Sequence, residues 1–163
     1  MQRPITRTLF MALCLGLTVA ADALKAETRH CSTAGTAGRW AYTYTGTIFT
    51  PNGPLQAAAV GRFRSDATGN LTGRQTRSVG GSSAVEDISG TNSVNPNCTS
   101  KMTIKVFVDG QLQRTAVGAV VFDRNMNHAR AIFRSLVLPD GTNVPVVLTA
   151  DNSRRFPRDH RRQ

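Results

Sequence analysis

Four tight-turn signals punctuate the chain at nearly equal intervals: Asn52-Gly53, Gly80-Gly81, Asp109-Gly110 and Asp140-Gly141. A second series sets a glycine five residues ahead of a turn-forming Asp or Asn, at Gly61 and Asp66, Gly90 and Asn95, Gly118 and Asp123. Both series advance by about 28 to 31 residues, the length of one β-hairpin and its connection. Asp-Gly and Asn-Gly pairs favour turns whose twist matches two antiparallel strands, so the spacing implies strand-turn-strand repetition. It names no reaction.

The turns cut the chain into eight candidate strands: 40–49, 55–64, 71–79, 83–94, 101–108, 112–122, 129–138 and 144–149. The first sets Trp40, Tyr42, Tyr44 and Ile48 on one face against Ala41, Thr43, Thr45 and Thr47 on the other. The fifth sets Met102, Ile104, Val106 and Val108 against Thr103, Lys105 and Phe107, and a period of two suits a strand with one buried face. An open sheet of eight strands would leave two unpaired edges, and closure into an up-and-down barrel removes both. Gly46, Gly61, Gly73, Gly90 and Gly118 fall inside strands, where a barrel needs sharp bends. The expected fold is therefore all-β, a single antiparallel up-and-down barrel of about eight strands, with a two-sheet β-sandwich as the alternative.

The N-terminus has a separate purpose. Residues 1–7 carry two arginines and no acid, residues 9–21 form an apolar run of thirteen, and Ala21-Asp22-Ala23 fits a small-residue cleavage site. This pattern is that of a secretory signal peptide, and the run falls short of the ~20 residues a spanning helix needs. Cys14 follows the bulky Leu13 and makes a poor lipid-attachment site. The expected location is secreted or periplasmic. The expected organisation is a signal peptide at 1–23, an N-terminal plug at 24–39, a barrel at 40–151 and a basic tail at 152–163.

Cleavage leaves Cys31 and Cys98, and two cysteines in an oxidising compartment have one pairing open to them. Strand parity supports it. Cys31 precedes the first strand and Cys98 lies in the turn after the fourth, so an up-and-down order puts both at the same end. The segment from Cys31 to Gly38 would then fold across that end and plug it.

The chain has 20 Lys and Arg against 10 Asp and Glu, and removal of Arg3, Arg7 and Asp22 takes the net charge from +10 to +9. Arg154, Arg155, Arg158, Arg161 and Arg162 crowd the C-terminus, where a disordered tail is expected to meet solvent or an anionic envelope surface. No nucleic-acid partner is expected, and nothing in the sequence sets the oligomeric state.

Reaction motifs are few. Asp123-Arg124-Asn125-Met126-Asn127 opens like a calcium loop, but His128 and Arg134 stand where that loop needs Gly and Glu. Asp66 to Asn70 fails similarly, with Arg77 at the twelfth position, so both read as turns and no metal is expected. His30, His128 and His160 lack ligand spacing. No nucleophile elbow surrounds Ser82 and Ser83, and no phosphate loop or dinucleotide fingerprint occurs, so no cofactor is expected. Arg62, Arg64, Arg74 and Lys105 interrupt the apolar band that an outer-membrane barrel would show to lipid.

One constellation stands out. If Leu71, Val79, Ile88 and Val94 point inward, alternation sends Gln75, Arg77 and Glu86 inward too, and Arg114 shares a face with Leu112 and Ala116. Guanidinium and amide groups in a cavity suit a carboxylate or enolate, whereas an internal Arg77 to Glu86 pair would be structural. The candidate ligand-binding residues are Gln75, Arg77, Glu86 and Arg114. No catalytic residue is assigned.

The stretches Ala41-Tyr42-Thr43-Tyr44-Thr45-Gly46-Thr47, Ala59-Val60-Gly61-Arg62-Phe63, Gly69-Asn70-Leu71-Thr72-Gly73 and Ser135-Leu136-Val137-Leu138-Pro139-Asp140-Gly141 resemble a group of small secreted bacterial proteins of unknown function. The resemblance covers about residues 31–150. Its hairpin pattern is similar to calycin-like barrels of the lipocalin and allene oxide cyclase type. Gly38-Arg39-Trp40 has the lipocalin G-x-W spacing without its companion motifs. The resemblance implies a barrel and transfers no catalytic residue. Three functions stay open: a non-enzymatic exported barrel binding a small apolar or amphipathic ligand, a cyclase or isomerase of a lipid-like substrate, and envelope-surface binding through the basic tail. The balance leans away from an enzyme.

Overall fold

The computed structural model describes residues 30–155; the signal segment and Arg158, Arg161 and Arg162 lie outside the described residues. A short 3-10 turn, Ala34–Thr36, precedes the strands β1 (Gly38–Thr50), β2 (Gly53–Ser65), β3 (Asn70–Val79) and β4 (Ser82–Val94). There follow β5 (Thr99–Val108), β6 (Gln111–Phe122), β7 (His128–Val137), the two-residue β8 (Asn143–Val144) and β9 (Val146–Arg155). Each strand from β1 to β7 pairs antiparallel with the next, and β9 pairs with both β7 and β1. The sheet closes. The result is an eight-stranded up-and-down barrel in which Pro145 separates β8 from β9, and the sandwich alternative is excluded.

Closure explains one of the interior glycines directly. Gly46 adopts φ +149, and a Cβ there would stand 1.9 Å from the Val147 carbonyl of β9. A side chain at that point would force the first and last strands apart.

The last strand is longer than the 144–149 segment that hydrophobic alternation marks out, and it carries the barrel past residue 151 to Arg155. Its inward positions become polar toward the end: Leu148 and Ala150 are followed by Asn152 and Arg154. Carbonyls of β7, the turn before it and the plug make this tolerable. Asn152 donates to the Ala129 carbonyl at 3.1 Å, and Arg154 donates from Nη1 to Ala37 at 3.0 Å, from Nε to Met126 at 3.2 Å, and from Nη2 to Gly35. Its guanidinium also lies 5.2 Å from the centroid of the Trp40 ring.

Trp40 is the centre of this end. It is 1% exposed, donates from Nε1 to the Thr36 carbonyl at 2.9 Å, and packs against Phe63 and Phe122 at centroid separations of 6.1 and 5.9 Å. Cys31 and Cys98 are bonded, with Cα atoms 4.9 Å apart, and tie the plug to the turn between β4 and β5. Thr33 strengthens the tie by accepting the Val94 amide at 3.0 Å. Parity thus placed both cysteines correctly. The other end carries only the hairpin turns after β1, β3 and β5 and the longer connection after β7, and no described segment crosses it.

The loops with calcium-like spacing satisfy themselves. Asp66 Oδ1 accepts the amides of Thr68 and Asn70, both at 2.9 Å, and the Thr68 hydroxyl at 2.7 Å. The hydroxyl and amide donors of Thr68 and Asn70 hold its carboxyl down at about 2. Asp123 accepts the Asn127 amide at 2.8 Å in the same manner.

Candidate functional site

Ladder register places Tyr42, Gly61, Gln75 and Glu86 in one inward row across β1, β2, β3 and β4. The glycine is the enabling residue. A Cβ at Gly61 would come within 2.7 Å of the Tyr42 ring and hydroxyl, so its absence lets the phenol cross β2. Tyr42 thereby reaches the next strand and donates to Gln75 Oε1 at 2.6 Å. Gln75 passes the chain on, donating from Nε2 to Glu86 Oε2 at 2.6 Å.

Glu86 ends the chain and gathers the cations. Its side chain is fully buried, and it accepts Arg77 Nε at 2.7 Å and the Arg114 fork at 2.9 and 2.5 Å. Both carboxylate oxygens accept two donors, and no buried side-chain polar atom among the described residues lacks a partner. Burial pushes the Glu86 carboxyl up, yet the hydrogen bonds from Arg114, Gln75 and Arg77 and the Arg114 charge together hold it below its usual range. Tyr42 moves the opposite way: burial, reinforced by Tyr44 and the Glu86 charge, pushes its phenol well above the ordinary value. Burial raises Tyr44 as well, with Arg114 opposing it.

The structure therefore brings Gln75, Arg77, Glu86 and Arg114 together, and it adds Tyr42, which the sequence reading left out. Alternation put Tyr42 on the inner face; what it did not reveal was that a glycine on the neighbouring strand would let the ring span two strands. Gly61→Ala is expected to push the ring off this path and cost about 1–3 kcal/mol by overpacking, read as a lower urea midpoint. Tyr42→Phe should cost about 1 kcal/mol for the lost hydrogen bond. If the ring path is the cause, the double variant will lose less than the sum of the two.

Three members of the cluster border an internal cavity of about 50 Å3. Tyr42, Gln75 and Arg114 line one side, and Ile48, Ile88, Val106 and Leu148 are among the apolar residues lining the rest. Two guanidiniums against one carboxylate leave the cluster with one surplus positive charge, and Arg114 is its charged member at the cavity. Arg77, with 23% of its side chain exposed, is the more open of the two. It spends Nε on Glu86, and its Nη donors are the ones left for a further partner. No group of His, Cys, Asp and Glu suited to a metal occurs among the described residues.

No protein-family model and no curated protein matches this chain. Solved structures do. The barrel is similar to EF1p2_mFAP2b bound to DFHBI, at TM-score 0.54 and 13% identity over 78% of this chain and 98% of that one. A redesigned beta barrel, b11L5F_LGL, aligns at TM-score 0.47 and 16% identity over 80% of this chain and 98% of its own. The S-type phycobiliprotein lyase CPES from Guillardia theta aligns at 0.41 and 8% over 77% and 92%. At such identity the first similarity speaks to the fold alone, that of a closed antiparallel β-barrel.

Proposed function

We infer that this is an exported, non-enzymatic barrel that binds a small amphipathic ligand, with its apolar part in the cavity and an anionic head at Arg77 and Arg114. The carrying observation is the cavity itself, apolar on most sides with Arg114 on its polar side and Arg77 behind it on Glu86. EF1p2_mFAP2b, a barrel of the same fold, is bound to DFHBI, which supports an organic occupant for this architecture. Export rests on the N-terminal segment and fits the Cys31–Cys98 disulfide.

Volume sets a condition. About 50 Å3 is far below the ~300–1,000 Å3 of a drug-sized pocket. A slender chain must therefore enter from the end opposite the plug and move side chains there. Leu55, opposite the cavity-lining Ile48, faces inward near that end and is 39% exposed, which makes it the movable part. The titrating groups favour binding over acid-base catalysis, because Glu86 is held low and Tyr42 is pushed high, and neither stands near neutrality.

Native mass spectrometry of protein purified without detergent, followed by titration with a fluorescent fatty-acid analogue, tests this reading. Arg77→Leu should weaken the carboxylate probe about tenfold, the scale of one charge-assisted contact, and leave an uncharged probe of the same chain length unaffected. Absence of any adduct together with no probe binding would overturn it.

A further inference from the structure

The outer wall beside the plugged end carries arginines in positions that weaken the fold. Arg39 of β1 stands directly opposite Arg155 of β9 on one side and Arg64 of β2 on the other. One row away, Arg62 of β2 stands opposite Arg74 of β3. These are three like-charged cross-strand pairs among five exposed arginines, and like charges directly opposite destabilise a sheet. Asp87 offsets only Arg74, which donates to it at 2.8 Å. The side chains bound a surface cleft of about 560 Å3.

The next row changes character. Val60 of β2 and Val85 of β4 flank Thr76 of β3 and are 60% and 58% exposed. They line a second cleft of about 360 Å3 that shares Arg62, Arg74 and Arg155 with the first. Guanidiniums bordered by exposed aliphatic side chains match a lipid interface, where phosphates meet the cations and the valines reach the acyl boundary. Single-stranded nucleic acid would instead require exposed aromatic rings for base stacking, and of the two rings beneath this patch Trp40 is 1% exposed and Phe63 is stacked on it and packed against the core.

The geometry points to a docking face for an anionic phospholipid bilayer, formed by Arg39, Arg62, Arg64, Arg74 and Arg155 with Val60 and Val85. This differs from attachment through the C-terminal tail. Arg154 is committed to the plug, and Arg155 belongs to the wall. The face is also independent of the interior ligand site, because its side chains point away from the cavity.

The test is co-sedimentation of the full chain with vesicles of phosphatidylcholine containing about one-third phosphatidylglycerol, at low and high salt. Binding should occur at low salt, fall at high salt and be absent with pure phosphatidylcholine. Arg39→Gln with Arg64→Gln should weaken binding about 25-fold, taking about fivefold for each near-surface arginine. Its melting temperature should hold or rise as repulsion is relieved, which separates docking from a structural role. Val60→Ser with Val85→Ser should weaken binding and leave the salt dependence unchanged, and a chain ending at Arg155 should still bind. The assignment is overturned if binding to phosphatidylglycerol vesicles is absent, survives the arginine change, or disappears with the tail alone. It is equally overturned if a 20-nucleotide single strand binds more tightly than the vesicles at the same salt.

Discussion

Replacing Glu86 with alanine is expected to destabilise the barrel by about 3–5 kcal/mol, the range for removing one partner of a buried ion pair. The carboxylate is the acceptor on which Gln75, Arg77 and Arg114 all converge. Without it, Arg114, whose side chain is only 12% exposed, faces Arg77 with no counter-charge. Urea unfolding followed by tryptophan fluorescence measures the loss. A drop under about 1 kcal/mol would mean that both arginines swing out to water and that the cluster does little for the fold. The companion variant Arg77→Met, Glu86→Leu, Arg114→Met should recover stability, because an apolar replacement of a whole buried ionic group is often neutral or better. It should not recover binding of the carboxylate probe. Acid supplies a second readout. The folded Glu86 titrates below its ordinary 4.5, so the unfolded chain takes up the proton first. Its contribution is full above about pH 4.5 and is lost as pH falls through the lower folded value. The alanine variant should lack this part of the acid sensitivity.

The second large effect concerns the plug. Converting Cys31 and Cys98 to serine together is expected to cost about 4 kcal/mol in the chain-entropy account of a loop this long, for cysteines 67 residues apart. The loss has a local signature. The bridge holds the segment that supplies Thr36 to Trp40 and the carbonyls of Gly35 and Ala37 to Arg154. Loosening it should wet the indole and shift its emission to the red before the barrel unfolds. Reduction of the native protein should reproduce both changes. An unchanged midpoint with unchanged emission would show that Arg154 and the Trp40 contacts hold the plug unaided.

The turn dipeptides made the architecture legible because each one demands a hairpin, and eight strands in simple up-and-down order leave few ways to avoid open edges. Parity then located the disulfide. Alternation also brought Gln75, Arg77, Glu86 and Arg114 to the inner face, but it put Leu112 there too, and a bulge in the β5–β6 ladder instead sets Leu112 opposite Phe107 on the outer face. Three features stayed out of reach for identifiable reasons. Tyr42 joins the cluster through a gap at Gly61, a contact between strands that one-strand periodicity does not encode. Arg154 looked like part of a basic tail because its partners are backbone carbonyls, which leave no mark in sequence. The end of β9 does not show in the sequence because Asn152 and Arg154 point inward where alternation expects apolar residues, and backbone carbonyls of β7, the turn before it and the plug satisfy them. The outer arginine wall was visible as charge, while its like-charged pairing became apparent only with the register.

Barrel closure through β9 has a consequence for when the fold can complete. The last strand pairs Arg155 with Arg39, so the two edges meet only when residues more than one hundred apart in sequence come together. Such a contact is slow to form, because a long loop must be ordered before any of its hydrogen bonds are gained. Until β9 is added, β1 and β7 keep open edges, and each can pair with another chain before the barrel closes. The strand that completes the fold thus also acts as its timer.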